Sequence, residues 1–183
     1  MAKYGLMWVA LILLTAARTA TAEPLQSGPQ VGQALPGPFQ PFNVTGPWAG
    51  TRHCLYCENG MHPVALVFAR DVTPEVSVLL KKLDAAVAAH SDCHMGAFAV
   101  FCNDDPAVAG RLKTLGTGLQ RVILSTFSSD GPAKYHVARN AEVTVVLYYR
   151  ARVLFNFAFH KGELTGPAVE AILARVPQIS PQD

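Results

Sequence analysis

Charged residues are scarce in this chain, 15% of its 183 positions, and the formal charge at pH 7 is only +2. No stretch gathers Lys and Arg as a nucleic-acid interface does, so no nucleic-acid partner is expected. Long apolar runs are also missing. The longest, Leu6 to Leu14, falls short of the roughly 20 residues that a membrane-spanning helix needs. No internal repeat divides the chain. Cysteine is limited to four residues, with one CxxC, Cys54-Leu55-Tyr56-Cys57. Glu58 rather than His follows it, which excludes c-type haem attachment. The lack of a second CxxC leaves the paired zinc-binding pattern incomplete.

What is present begins with an expected export signal over residues 1–22. Lys3 supplies the positive start, Leu6 to Leu14 the apolar segment and Ala20-Thr21-Ala22 the small-residue cleavage site. This implies a periplasmic, envelope-associated or extracellular protein with no stable membrane span after cleavage. Residues 23–47 carry six prolines and read as an extended entry segment able to form at most edge strands. The rest suits one domain over 48–178, with a short tail at 179–183. A domain of about 150 residues buries roughly 68–70% of its unfolded surface and needs no disulfide framework.

Val64–Ala69 is an apolar run of strand length. Thr73 then caps a helix with Pro74 at its first position and Val76, Leu79, Leu80, Leu83 and Val87 on one face, ending at His90-Ser91-Asp92. Ala97–Phe101 is a second buried strand, and Asp105-Pro106 starts a second helix. Arg121–Leu124 is a short strand, Val143–Tyr149 and Arg152–Phe159 form a hairpin across Arg150-Ala151, and Pro167–Arg175 is a closing helix. That order implies an α/β sandwich whose first two strands are parallel.

In this order the chain resembles the thioredoxin superfamily, in its redoxin or peroxiredoxin-like branch. Val31-Gly32-Gln33-Ala34-Leu35-Pro36 with Phe39 resembles the redoxin opening, and Pro63–Ala69 resembles the first core strand. Arg121–Leu124 followed by residues 131–137 resembles the redoxin insertion. The resemblance runs from about residue 31 to 176 and implies a three-layer thioredoxin-like sandwich with a mixed central sheet. Two departures follow. Redoxins place their reactive cysteine just after the first core strand, where this chain has Asp71-Val72-Thr73-Pro74-Glu75, so it lacks a peroxidatic nucleophile there. The proline that thioredoxins set before the hairpin strand is absent at Val143-Thr144. The CxxC instead precedes the first core strand.

Parallel strands would bring Cys54, Cys57 and Cys93 to one end of the sheet and leave Cys102 at the other. At about 3.3 Å per residue, Cys93 and Cys102 are separated by well over ~20 Å, too far for a disulfide, which needs Cα atoms within about 7 Å. Three readings of the cluster stand. Cys54 and Cys57 could exchange disulfides with a protein thiol or disulfide partner, with Cys54 attacking because His53 precedes it and with no cofactor. Cys54, Cys57 and Cys93 could instead hold zinc or copper, with His94, His90, His53 or His62 as fourth ligand. A Cys54–Cys57 or Cys57–Cys93 bond could be a structural clip. Cys102 reads as an inert core thiol, and His136 and His160, with no partner identifiable in the sequence, as surface or satisfied polar residues. Arg70-Asp71 could bind an anion at a helix start or form a solvated loop. Asn43-Val44-Thr45 matches a glycosylation acceptor.

Overall fold

The computed structural model describes residues 24–180, so the expected signal at 1–22 lies outside the described residues. The apolar run Val64–Ala69 forms strand β2, all six residues buried, as expected of a strand covered on both faces. β2 pairs in parallel with β3 (Gly96–Cys102), which pairs in parallel with β4 (Val122–Phe127). On its other side β2 pairs antiparallel with β5 (Val143–Tyr149), and β5 with β6 (Arg152–Phe159). A two-residue strand β1 (Phe42–Asn43) closes the far edge. The mixed sheet thus has the order β1-β4-β3-β2-β5-β6. The hairpin turn falls at Arg150-Ala151, whose φ angles of 50° and 56° are the paired positive values that a tight two-residue turn demands.

Helix α2 (Pro74–Ala89) starts as its sequence predicts. Thr73 Oγ1 accepts the Val76 N–H at 3.2 Å, and Val76, Leu79, Leu80, Leu83 and Val87 are buried along one stripe. Helix α3 (Val108–Gly116) begins later than Asp105-Pro106 suggests, because polar side chains hold the preceding turn open. Asn103 Oδ1 accepts the Asp105 N–H, and Asp105 Oδ1 accepts the Ala107 N–H. β4 runs on to Phe127, since Ser125, Thr126 and Phe127 continue the register against Val100, Phe101 and Cys102.

The two crossovers from β2 to β3 and from β3 to β4 step the same way across the sheet. Right-handed connections then put both helices on one face. Accordingly α2, α3 and α4 (Gly166–Leu173) share one core with Ala65, Val67, Ala97 and Ala99. The opposite face carries Val64, Leu66, Phe68, Phe98 and Val100, and among the described residues no long helix covers it. Its third layer is made by Leu35 and Phe39 of the entry segment, a short helix α1 (Leu55–Asn59), and Tyr135 and Val137. No described helix is long and apolar enough to cross a membrane.

Candidate functional site

The segment that follows β2 and opens α2, residues 70–75, has no cysteine, and this end of the sheet is filled by the chain's own polar contacts. The Arg70 guanidinium donates to the carbonyl oxygens of Ala138 (2.9 Å), Ala141 (3.2 Å) and Ser129, and lies 3.5 Å from those of Cys102 and Val137. Asp71 pairs with Arg111 at 2.9 Å. The anion reading of Arg70-Asp71 is therefore corrected: this arginine joins the loops after β3, β4 and the 133–135 turn to the sheet. Alongside it, Thr144 Oγ1 and Ser27 Oγ share a hydrogen bond of 2.6 Å, and Ser27 Oγ also accepts the Ala138 N–H. Asn156 Nδ2 donates to the carbonyls of Ser27 and Pro29. The entry segment is thus fastened across this end.

Cys102 lies here too, buried among Val137 and Gly131, and burial pushes its thiol up to about 11 against the weaker opposing pull of Arg70. A thiol this neutral is a poor nucleophile at physiological pH. The unfolded group ionises near 9.0. Between that value and about 11 the unfolded state holds fewer protons, so stability falls as pH rises, by up to about 2–3 kcal/mol. Denaturant midpoints measured from pH 8 to 11 should fall in the wild type and fall less steeply in Cys102→Ala, where the buried Tyr135 and Tyr148 phenols, also pushed up by burial, still contribute. An unchanged slope in the variant would remove Cys102 as its source.

The CxxC occupies the other end of β2. α1 is a five-residue helix, too short for its periodicity to show in the sequence. Cys54 is its N-cap residue, and Cys54 Sγ accepts the Cys57 N–H at 3.1 Å. The two sulfurs are bonded, with Cα atoms 5.2 Å apart. Leu55, only 1% exposed, sinks into the core with Val64, Leu66 and Tyr148 and holds the helix to the sheet. Cys54 is 8% exposed, whereas Cys57 is open to solvent. His53 Nε2 and Glu58 Oε1 stand 2.5 Å apart across the disulfide, and the His53 ring stacks on Trp48 with centroids 3.9 Å apart. That ring nitrogen is engaged by a carboxylate rather than by a sulfur.

Asn59 is a site residue that no sequence motif marks. Its Nδ2 donates to the Leu55 carbonyl, and its Oδ1 lies over Gly96 at the start of β3. A Cβ at position 96 would come within 1.7 Å of that oxygen, so close approach rather than backbone freedom requires the glycine. Gly96→Ala should expel Asn59 and loosen α1. Proteolysis or hydrogen exchange should then show faster opening at 54–60, and unaltered protection there would show that α1 does not depend on this contact.

The remaining candidates disperse. Cys93 Sγ donates to the His90 carbonyl at 3.2 Å and packs with the core on the helix-bearing face, across the sheet from Leu55. The chain enters β2 from α1 on one face and β3 from the end of α2 on the other, so adjacent strand starts do not bring these sulfurs together. The alternative ligand set of Cys54, Cys57, Cys93 and His94 is not assembled, nor is a Cys57–Cys93 bond formed. Among the described residues no group of three or more His, Cys, Asp or Glu side chains is placed to hold a metal ion. His90 Nδ1 lies 2.8 Å from the Ala86 carbonyl of its own helix. His62 and His94 do meet, with ring centroids 5.2 Å apart. The glycosylation reading of Asn43 is also corrected: its side chain is 0% exposed, and a glycan could not be carried there in this fold.

Comparison of the sequence with protein-family models and with curated proteins gives no match. Solved structures do match at the level of the fold. A 2-Cys peroxiredoxin from Plasmodium vivax superposes with a TM-score of 0.60 at 18% identity, covering 82% of this chain and 96% of its own. A thiol peroxidase from Chromobacterium violaceum gives 0.58 at 14% identity, covering 85% and 90%. A secreted disulfide oxidoreductase from Mycobacterium tuberculosis gives 0.57 at 13% identity, covering 76% and 95%. The fold is thioredoxin-like, with redoxins among its structural neighbours.

Proposed function

We propose that this protein exchanges disulfides with protein thiol partners through Cys54 and Cys57, outside the cytoplasm, at the end of the sheet opposite the usual redoxin site. The observation that carries the reading is the asymmetry of the pair. One sulfur is exposed, and the other is buried and receives a backbone N–H. A partner thiolate attacks Cys57 Sγ, the Cys54–Cys57 bond breaks, and Cys54 leaves as a thiolate that the Cys57 N–H stabilises. A second partner thiol, deprotonated, attacks the partner's own sulfur in the mixed disulfide and displaces Cys57. The partner leaves as a disulfide, and the pair has gained two electrons and, after protonation, two protons. The reverse sequence reduces a partner disulfide. In both directions the exposed Cys57 meets the partner, which reverses the role that His53 alone would suggest for Cys54. An oxidised pair suits an exported protein, as does the signal-like segment at 1–22. A secreted oxidoreductase among the fold neighbours is in keeping with this compartment.

A non-enzymatic binding or scaffold role is the second reading, favoured by the filling of the usual site by Arg70, Ser27 and Thr144. Alkylation with mass spectrometry across a glutathione redox series separates the two. Exchange requires Cys54 and Cys57 to interconvert between about −270 and −120 mV, the range of known exchange proteins. A bond that stays closed below about −300 mV is structural, and the exchange proposal fails.

A further inference from the structure

We propose that His62 and His94 form a binding site for a divalent first-row transition metal, with Cu2+ preferred over Zn2+. Neither residue has a role in the disulfide chemistry above, and the site stands whether or not Cys57 exchanges. Both side chains are exposed, and their juxtaposition is built into the sheet. Val64 pairs with Gly96 in the parallel β2–β3 register, and the Gly96 N–H donates to the Pro63 carbonyl. His62 and His94 each stand two residues before that pair, so the register sets them side by side.

A second observation concerns His94 itself. It holds a left-handed conformation, φ 54° and ψ 35°, at the end of the turn Ser91–Cys93. Glycine or asparagine meets that demand at lower cost. Here the turn sets its ring beside that of His62, with centroids 5.2 Å apart.

The spacing suits coordination. A ring nitrogen lies about 1.2 Å from its ring centre, and with a metal–nitrogen bond of about 2.0–2.1 Å the metal stands about 3.2 Å from each centre. Two centres 5.2 Å apart are then within reach of one ion as adjacent ligands. Two neutral imidazoles are borderline ligands that accept copper, nickel and zinc, and copper binds most tightly in the first-row order. The remaining positions face solvent and a cleft of about 490 Å³ bordered by His94, Ser91 and Met95, so water or a small donor completes the shell. The site is open and held by two histidines, unlike the cysteine-based four-ligand alternative.

The test is titration of the untagged, disulfide-intact protein with Cu2+ in a non-coordinating buffer, followed by calorimetry and by electron paramagnetic resonance. The expected result is one saturable equivalent with hyperfine structure from two imidazole nitrogens, and weaker binding of Zn2+. His62→Ala and His94→Asn should each weaken binding by roughly tenfold or more, at least the loss produced by removing an outer-shell partner. Asparagine is chosen at 94 because it tolerates the left-handed backbone, and His62→Ala changes an exposed side chain, so one variant reports if the other misfolds. His136→Asn and His160→Ala should bind as the wild type does. Wild-type affinity in His62→Ala or in folded His94→Asn, or the absence of a saturable equivalent, overturns the site.

Discussion

Replacing Cys57 with serine should abolish disulfide reduction by the protein in a coupled assay with a dithiol donor, whereas Cys54→Ser should stop turnover yet still capture substrate. The difference follows from accessibility. With Cys54 replaced, the exposed Cys57 thiolate attacks a substrate disulfide, and no second sulfur resolves the adduct, so a mixed disulfide accumulates. With Cys57 replaced, the remaining sulfur lies in the core side of α1, 8% exposed, and a folded substrate cannot reach it. Mass spectrometry of each variant incubated with a model disulfide reads the outcome directly. Accumulation of adduct on Cys57→Ser rather than on Cys54→Ser would reverse the assignment, and turnover in both would exclude the pair as the reacting centre. Stability is a poor reporter here, because closing so short a loop stabilises the fold by only about 2 kcal/mol or less.

Arg70→Ala should cost about 3 kcal/mol of stability, a large part of the roughly 5–15 kcal/mol that holds such a domain together. Hydrogen bonds to a charged donor contribute about 1.5–3 kcal/mol each, and their sum is limited because freed carbonyls recover some water. Arg70 serves Ala138, Ala141 and Ser129 at once, and among the described residues no other side chain connects these three points in this way. Arg70→Lys should recover little, since an ammonium cannot reproduce the fork of the guanidinium. Urea midpoints with an unchanged slope measure the loss. A loss under about 1 kcal/mol would mean that the loops close without the arginine. Because the clamp and the disulfide sit at opposite ends of β2, the folded fraction of Arg70→Ala should keep the wild-type redox potential at Cys54 and Cys57.

Much of the fold was legible because local chemistry and tertiary demand agree. The capped, amphipathic 74–89 segment needs only its own residues to specify a helix, and the run Val64–Ala69 has no polar position to place at a surface. The start of α3 is not legible at Asp105-Pro106, because Asn103 and Asp105 compete for backbone N–H groups in a way that a local helix signal does not reveal. α1 was invisible because five residues carry no period. Arg70 read as a loop cation because its acceptors are backbone carbonyls, and these have no sequence signature.

The candidate site divides in the same way. The spacing of Cys54 and Cys57, with two residues between them, determined that any turn or helix over the motif would bring the two sulfurs within bonding reach. The sequence also determined that no thiol follows β2, and it placed Cys102 at the far end of the sheet from Cys93. Only the tertiary structure decided which sulfur meets solvent, because Leu55 must bury itself and turns Cys54 inward with it. Tertiary structure also kept Cys93 from joining the pair: a sheet has two faces, and the chain approaches neighbouring strands from opposite ones. The same register that leaves those sulfurs apart brings His62 to His94, a pairing between residues distant in the sequence that no local pattern encodes.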